Sequence, residues 1–250
     1  MMNFRLQNIF FLCIAALLIT SCTTTRYGIA NQGSQARYIA KPIYKDTTET
    51  ALYISGQYFN NNGKGFNEQQ EFSQFGDLMI HRSHSVKDWN YAYGILGYLG
   101  SYDVNAVYNL RGEKDFFGIG VMGEINYTIP FKHIEFRPVG FRLGIMREFG
   151  DYEEFKQLAS ELNYIEDVNP NNTPLNFGVS SEVIYKHVKF DLGFQLSFAY
   201  LFNEGNQPLK ALKTFQTIHF TYGNWTLIGA TSITSTRNLY YSTGLTYKFY

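Results

Sequence analysis

The sequence predicts an all-β fold, an antiparallel up-and-down β-barrel of about ten strands. Three observations support this prediction. Apolar residues recur at every second position over most of residues 50–250, which is the pattern of strands with one apolar face. The connections between candidate strands alternate between short and long. Aromatic residues make up 18% of the chain and charged residues only 17%, against a usual charged share of about a quarter, which favours a large apolar surface.

The predicted strands follow one another to the carboxyl end. They cover residues 50–59, 89–99, 102–110, 116–129, 133–149, 177–185, 188–202, 214–222, 225–234 and 238–249. Residues 75–83 alternate poorly and are assigned to a loop. Glycine leads the pairs Gly100-Ser101 and Gly223-Asn224, which predicts two tight hairpin turns, and short turns are also expected near residues 131 and 186. The longer connections then all lie at the opposite end, as in transmembrane barrels.

Pairing outward from these turns gives a register for each hairpin. Tyr222 is expected opposite Trp225, and Leu99 opposite Tyr102. The turns near residues 186 and 131 set Val183 opposite Phe190 and Val121 opposite Phe141. Register decides which face each side chain takes. Every pairing joins two apolar positions, so one continuous apolar surface results.

This apolar surface admits two barrels, a soluble one with the surface inside and a membrane one with it outside. The stretch 188–202, VKFDLGFQLSFAYLF, shows the stripe most clearly. The opposite faces of neighbouring strands carry small residues such as Gly118 and Gly144 with few charges, which suits a narrow lumen. Trp89 and Trp225 lie near strand ends, as interfacial aromatics do. The sequence therefore favours the membrane barrel, with a soluble barrel binding a small apolar ligand as the alternative.

The first 21 residues have the features of a secretory signal peptide. An apolar run from Ile9 to Ile19 follows a single positive charge and is too short to span a bilayer. It ends in Ile19-Thr20-Ser21-Cys22, which resembles the bacterial lipobox. The resemblance implies that Cys22 is acylated, for example with palmitate, and becomes the first residue of the mature chain. Residues 22–49 are polar and without period, which predicts a flexible lipid-anchored tether before a barrel domain over 50–250.

Further resemblances concern the destination. Thr23 stands where inner-membrane lipoproteins of enterobacteria have Asp, which implies the outer membrane. Surface-exported lipoproteins of the Bacteroidota carry an acidic cluster after the cysteine, and residues 23–26 have none, so the lipid is expected on the periplasmic side. The last strand, ending at Phe249-Tyr250, resembles the carboxyl-terminal strand of outer-membrane β-barrels. The chain thus resembles bacterial lipoproteins, of Bacteroidota type, that carry a small outer-membrane barrel.

The candidate site is a set of charged residues predicted to face the lumen. They are Asp103, Glu124, Arg142, Glu148, Glu182 and Asp191. We expect them to form a structural polar network, because buried charge must be paired. The predicted registers also set Glu182 opposite Asp191 and Asp103 near Glu124, and adjacent carboxylates of this kind could divide acid and base roles. No metal and no cofactor is predicted beyond the covalent lipid on Cys22.

Two segments expected in outer loops are candidates for interaction or chemistry. His81 and His84 are the only local cluster with metal-binding or nucleophile-activating side chains. Residues 151–163 have apolar positions at helical spacing after an acidic first turn, which predicts a short amphipathic helix, as a lid or as a partner contact.

These features predict a structural or interaction role in the outer membrane, with a narrow or closed pore. The expected partners are outer-membrane lipids and an envelope protein reached through the outer loops or the tether. The enzyme alternative is an outer-membrane hydrolase, a protease or a lipid-modifying enzyme, that uses the loop histidines. The net charge of zero leaves no electrostatic footprint for nucleic acid.

Overall fold

The structure, a computed structural model, describes residues 30, 37–44, 48–64, 70–105, 110–161, 168–202, 213–233 and 239–249. The predicted signal peptide over 1–21 and the predicted lipidation site at Cys22 lie outside these residues. Most of the predicted tether also lies outside them, except for residues 30, 37–44 and 48–49.

The described residues form ten long strands that close into one barrel. These are β1 (Glu49–Lys64), β2 (Gln70–Val86), β3 (Trp89–Val104), β4 (Gly112–Tyr127), β6 (Ile134–Phe149), β7 (Leu175–Lys186), β8 (Asp191–Phe202), β9 (Lys213–Tyr222), β10 (Trp225–Ile233) and β11 (Leu239–Phe249). A two-residue strand, β5 (Ile129–Pro130), pairs with the start of β6. Long strands that are neighbours along the chain pair antiparallel, and β11 pairs with β1 to close the sheet. The antiparallel up-and-down barrel predicted from the sequence is confirmed.

The connections distinguish the two ends of the barrel. At the end that we call the turn end, strands are joined by residues 87–88, 128–133, 187–190 and 223–224, and both β1 begins and β11 ends there. At the opposite end, the loop end, the connections are residues 65–69, 105–111, 150–174, 203–212 and 234–238. The two longest connections, 150–174 and 203–212, lie at the loop end as predicted, and the predicted turns near residues 131, 186 and 223 lie at the turn end. The alternation of lengths is otherwise only partly right, since 65–69 and 234–238 are no longer than 128–133.

The outer face of the barrel is apolar and the inner face carries most of the polar side chains. Leu99 is 70% exposed and Ile119 64% exposed on the outside, whereas Gln195 and Thr217 are fully buried on the inside. In β8, Phe194 is exposed on the outer face, as the period of two predicts for the 188–202 stripe. An outer belt of this kind is suited to lipid and is the reverse of a soluble barrel with an apolar core.

The prediction was wrong about β2 and β3. Residues 75–83, assigned to a loop, lie in the middle of β2, and β3 runs straight through the predicted turn at Gly100-Ser101. The turn is at Lys87-Asp88, where Lys87 has a φ of 52°. Gly100 instead allows two strands to approach closely, since a Cβ there would lie 2.4 Å from the Cβ of Phe75.

The predicted registers were partly right. Tyr222 pairs with Trp225 as expected. Val183 pairs with Phe194 instead of Phe190, and Val121 pairs with Ile145 instead of Phe141. Both errors arise because the connections 187–190 and 128–133 contain more residues than the tight turns that were assumed. Each shift is even, so the side chains at these pairings keep their faces. The exception is the start of β6, where a register irregularity between Arg137 and Gly140 reverses the faces.

The helix α1 (Asp151–Glu161) confirms the predicted helix and lies at the loop end. Tyr152 and Phe155 are buried, and the Tyr152 ring stacks on the Tyr102 ring of β3 at 4.6 Å. Together with Phe75 and Phe116 these rings belong to an apolar cluster inside the barrel that residues of β1–β4, β6 and α1 build. No helix among the described residues is long and apolar enough to cross a bilayer.

Candidate functional site in the barrel lumen

Residues 37–44, RYIAKPIY, lie inside the barrel, and we call them the threaded segment. Arg37 is 2% exposed, Ile39 0% and Lys41 5%. The flexible tether predicted over 22–49 is therefore wrong for this stretch. Ile39 packs into the apolar cluster that contains Phe59 and Phe75, so the segment is part of the barrel interior.

Two cations of the threaded segment pair with carboxylates of the barrel wall. Arg37 Nη1 lies 2.7 Å from Asp77 Oδ1 of β2, and its Nη2 donates to Ser55 Oγ of β1 at 2.7 Å. Lys41 Nζ donates to Glu124 of β4, and the other oxygen of Glu124 accepts from Arg142 of β6. Each of these charged side chains is buried with an opposite charge beside it, as burial in a protein interior requires.

A second network lies nearer the turn end and centres on Arg137 of β6. Its guanidinium donates to Glu135 Oε1 at 2.8 Å, to Glu182 Oε2 at 2.9 Å and to the carbonyl of Pro42 at 3.1 Å. The other oxygen of Glu182 lies 2.8 Å from His219 Nε2. One arginine therefore links two wall strands, β6 and β7, to the backbone of the threaded segment.

The backbone of the threaded segment is also bonded directly to the wall. Ala40 O lies 3.0 Å from His81 Nε2 and accepts from Ser83 Oγ at 2.8 Å. Tyr44 N donates to Glu135 Oε2 at 2.8 Å. The Tyr38 ring stacks on the His219 ring at 4.2 Å. Wall side chains thus supply hydrogen-bond partners to the backbone of the threaded segment, as a neighbouring strand would in a sheet. The segment therefore lies in the lumen without pairing as a strand.

A third group of contacts lies at the loop end of the lumen. Glu148 is fully buried at the end of β6, where it accepts from Lys156 Nζ of α1 at 2.9 Å. Its other oxygen accepts from Ala30 N at 2.9 Å. Ser73 Oγ donates to Ala30 O at 3.2 Å. The chain ahead of the threaded segment and the helix α1 are therefore both tied to the same buried carboxylate.

The structure brings four of the six predicted site residues into these networks. Glu124, Arg142, Glu148 and Glu182 face the lumen and are buried. Asp191 lies on the inward side of β8 at the turn end and is half-buried. Glu124 and Arg142 share an ion pair, whereas Glu148 and Glu182 take part in separate networks.

Asp103 is the exception, because it lies on the outer face of β3. The predicted turn at residues 100–101 would have reversed the faces of the following residues, and β3 has no turn there. Asp103 is opposite Glu113 on β4, whereas Glu124 is opposite Ala92, eleven residues away along β3. Its predicted lumen position and its predicted proximity to Glu124 are both wrong.

The second predicted carboxylate pair does not form either. Glu182 is opposite Gln195, and Asp191 is opposite Lys186. The Glu182 carboxylate lies between Arg137 and His219 instead. The acid–base alternative drawn from paired carboxylates therefore loses its geometric basis.

The histidine cluster is divided between the two faces of β2. His81 points into the lumen, whereas His84 lies on the outer side, 2.8 Å from Thr50 Oγ1 and stacked on Tyr91 at 4.6 Å. Residues three apart on a strand take opposite faces, so these two imidazoles cannot share a ligand. Among the described residues, no group of three or more His, Cys, Asp or Glu side chains could hold a metal ion.

Several residues of the site were missed by sequence reasoning. Glu135 and Arg137 are inward because β6 has a register irregularity between Arg137 and Gly140, and plain alternation from Arg142 would put both outside. Pro138 within the strand pattern was the available signal of such a bulge.

Arg37 and Lys41 were missed because the threaded segment has no period. The surplus of acids in the predicted lumen was the signal that cations had to come from elsewhere.

No protein-family model and no curated protein matches the chain. Its structure is similar to solved outer-membrane barrels. Neisserial surface protein A is 13% identical with a TM-score of 0.39, covering 81% of this chain and 99% of that one. An outer-membrane channel from Pseudomonas putida F1 is 8% identical with a TM-score of 0.47, covering 86% of this chain and 98% of that one. The translocator domain of the autotransporter NalP from Neisseria meningitidis is 9% identical with a TM-score of 0.45, covering 80% of this chain and 88% of that one. These likenesses concern fold and assign no function.

Proposed function

We propose that this protein is an outer-membrane lipoprotein whose barrel is closed and serves a structural or interaction role. The observation that carries the proposal is the threaded segment, which fills the lumen and is paired with the wall at Asp77, Glu124 and Arg137. A conducting pore needs a continuous water path, and buried ion pairs on a packed segment oppose one. The apolar cluster under α1 supports closure from the loop end as well.

The barrel is proposed to be embedded in the outer membrane, with a covalent lipid on Cys22. The exposed apolar belt supports embedding, and the lipobox resemblance supports the lipid. We expect Cys22→Ala to abolish labelling by radioactive palmitate. The unlipidated variant should still resist carbonate extraction from membranes, because its strands hold it there.

Two outcomes of that experiment would count against the proposal separately. Palmitate labelling retained in Cys22→Ala would refute the lipid site. Release of the unlipidated variant into the soluble fraction without detergent would refute the membrane barrel and favour a lipid-anchored soluble domain. Cys22→Ser is a second variant that keeps a small polar side chain at the same position.

The interaction role is assigned to the loop end. Helix α1 buries Tyr152 and Phe155 but leaves Leu158 42% exposed, and Lys156 locks the helix to Glu148. We propose Leu158 as a contact for an envelope partner, because association would remove its exposed apolar surface from water. A photo-cross-linking amino acid at position 158 should yield a discrete adduct in cells, and Lys189 at the turn end is the matched exposed control.

The hydrolase alternative lacks support from the geometry of its candidate residues. His81 bonds the threaded segment and His84 lies on the outer face. We expect unchanged protease and lipid A profiles in cells that carry the His81→Ala/His84→Ala variant. A changed profile would restore an enzymatic function.

A further inference from the structure

The threaded segment has a direction, which its contacts fix along the barrel axis. Arg37 pairs with Asp77, nine residues before the turn end of β2. Ala40 bonds Ser83, three residues before that end. Tyr44 bonds Glu135, the second residue of β6, at the turn end itself. The chain therefore descends from the middle of the barrel to the turn end and enters β1 there.

The preceding part of the chain is held at the opposite end. Ala30 bonds Glu148, next to the last residue of β6, and Ser73, the fourth residue of β2. Both partners lie at the loop end, close to α1. Ala30, which is buried, thus lies at the loop end, and the threaded segment ends at the turn end.

We infer that the amino-terminal residues ahead of Ala30, including the proposed lipid on Cys22, lie at the loop end of the barrel. The inference rests on the membrane barrel and the lipid anchor proposed above. It places the lipid in the leaflet next to the long loops, which in an outer-membrane barrel is the cell-surface leaflet. The sequence-based expectation of a periplasmic lipid is opposite to this.

Chain length and solvation both argue against a return to the turn end. Eight residues separate Cys22 from Ala30, so they span at most about 29 Å when fully extended. The hydrocarbon core alone is about 30 Å thick, and a route over the rim adds to that distance. A route along the outside would also leave backbone polar groups and Arg26 in lipid without partners.

The route through the lumen is closed as well. The threaded segment occupies the turn half, where Arg37, Lys41 and Arg137 are buried in ion pairs. The loop half holds the aromatic cluster with Tyr152 and Phe155 of α1. A second chain passing back would have to displace one of these packed groups, at the expense of their pairing and burial.

Thiol labelling in intact cells tests the inference. Thr25→Cys places a thiol three residues after the lipid site without altering residues 19–22. Glu161→Cys, exposed at the end of α1, reports the loop end, and Lys189→Cys, exposed in the 187–190 turn, reports the turn end. A membrane-impermeant maleimide is applied before and after permeabilisation, and total thiol is measured on the denatured chain.

The inference predicts that Thr25→Cys labels in intact cells to the same extent as Glu161→Cys, while Lys189→Cys labels only after permeabilisation. It is overturned if Thr25→Cys follows Lys189→Cys, or if it labels only when the barrel is denatured. Whichever end faces outward, Thr25→Cys should follow Glu161→Cys, and labelling of both only after permeabilisation would overturn the cell-surface position of the lipid.

The parent chain separates this result from the proposed lipid anchor. An acylated Cys22 has no thiol, so the unaltered chain should stay unlabelled even when denatured. Labelling of the denatured parent chain would refute the lipid. The position of residue 25 would then be measured as the labelling of Thr25→Cys in excess of that of the parent chain. Absence of that labelling, with Thr25→Cys at the turn end, would refute the inference alone.

Discussion

Replacing Glu124 by Gln tests the lock between the threaded segment and the wall. The carboxylate of Glu124 is fully buried and pairs with two cations, Lys41 and Arg142, whose side chains are 0% and 4% exposed. Gln keeps the shape but not the charge, so both cations lose their ion pair with residue 124. Removing one partner of a buried pair costs about 3–5 kcal/mol, which is roughly a hundred- to several-thousand-fold in the unfolding equilibrium.

The control is an ion pair near the surface. Glu153 pairs with Arg147 at 3.1 Å, and their side chains are 15% and 46% exposed. Glu153→Gln should therefore cost only about 0–1 kcal/mol, because water screens and replaces the interaction. Adding Lys41→Met to Glu124→Gln removes one of the two buried cations that pair with Glu124, so the double variant should recover part of the lost stability.

Urea unfolding in detergent micelles measures all three variants and the parent chain. The folded fraction is read from the mobility of unheated samples on gels, and the free energy of unfolding from linear extrapolation. The expected order of stability is parent and Glu153→Gln together, then the double variant, then Glu124→Gln. Equal and small losses for Glu124→Gln and Glu153→Gln would refute the lock.

Two other predictions concern packing inside the barrel and at its loop end. Gly193→Ala should lower the free energy of unfolding by about 1–3 kcal/mol, because the new Cβ would lie 2.0 Å from His219 Nε2. Gly229→Ala is the control, since no atom lies within 4 Å of its new Cβ, and it should be as stable as the parent chain in the same urea assay. Equal stabilities of the two variants would contradict this. Lys156→Met leaves the Glu148 carboxylate buried and unpaired, so the connection 150–174 should become more sensitive to protease in intact cells, while Lys156→Arg keeps its resistance. A resistant Lys156→Met chain would show that the pair does not hold α1 in place.

Much of the barrel was predictable because a period of two reports faces directly. The stripe over 188–202 identified the outer face of β8, and five of the six predicted charged residues face the lumen as the same parity predicts. Errors arose where a local feature changed parity. Gly100 was interpreted as a turn residue, although it lies within β3 and relieves crowding against Phe75, and this error carried Asp103 to the wrong face.

The threaded segment was beyond this kind of reasoning. Its residues contact five different wall strands at irregular intervals, so no period appears in RYIAKPIY, and polar composition alone indicates a loop. What the sequence does contain is a charge imbalance. Glu124 and Glu182 needed cations, and Arg142 alone could not neutralise both. Arg37 and Lys41 were the charges that a strand-by-strand search had no reason to place inside.

The conductance of the purified chain in planar lipid bilayers tests the closed barrel most directly. The threaded segment and the cluster under α1 leave the described lumen packed, so the native chain should show no steady current above the lipid baseline at any moderate voltage. A variant with Arg37→Ala and Lys41→Ala, in which the segment loses both of its ion pairs with the wall, should show intermittent openings. A steady, ohmic current from the native chain would contradict the closed lumen.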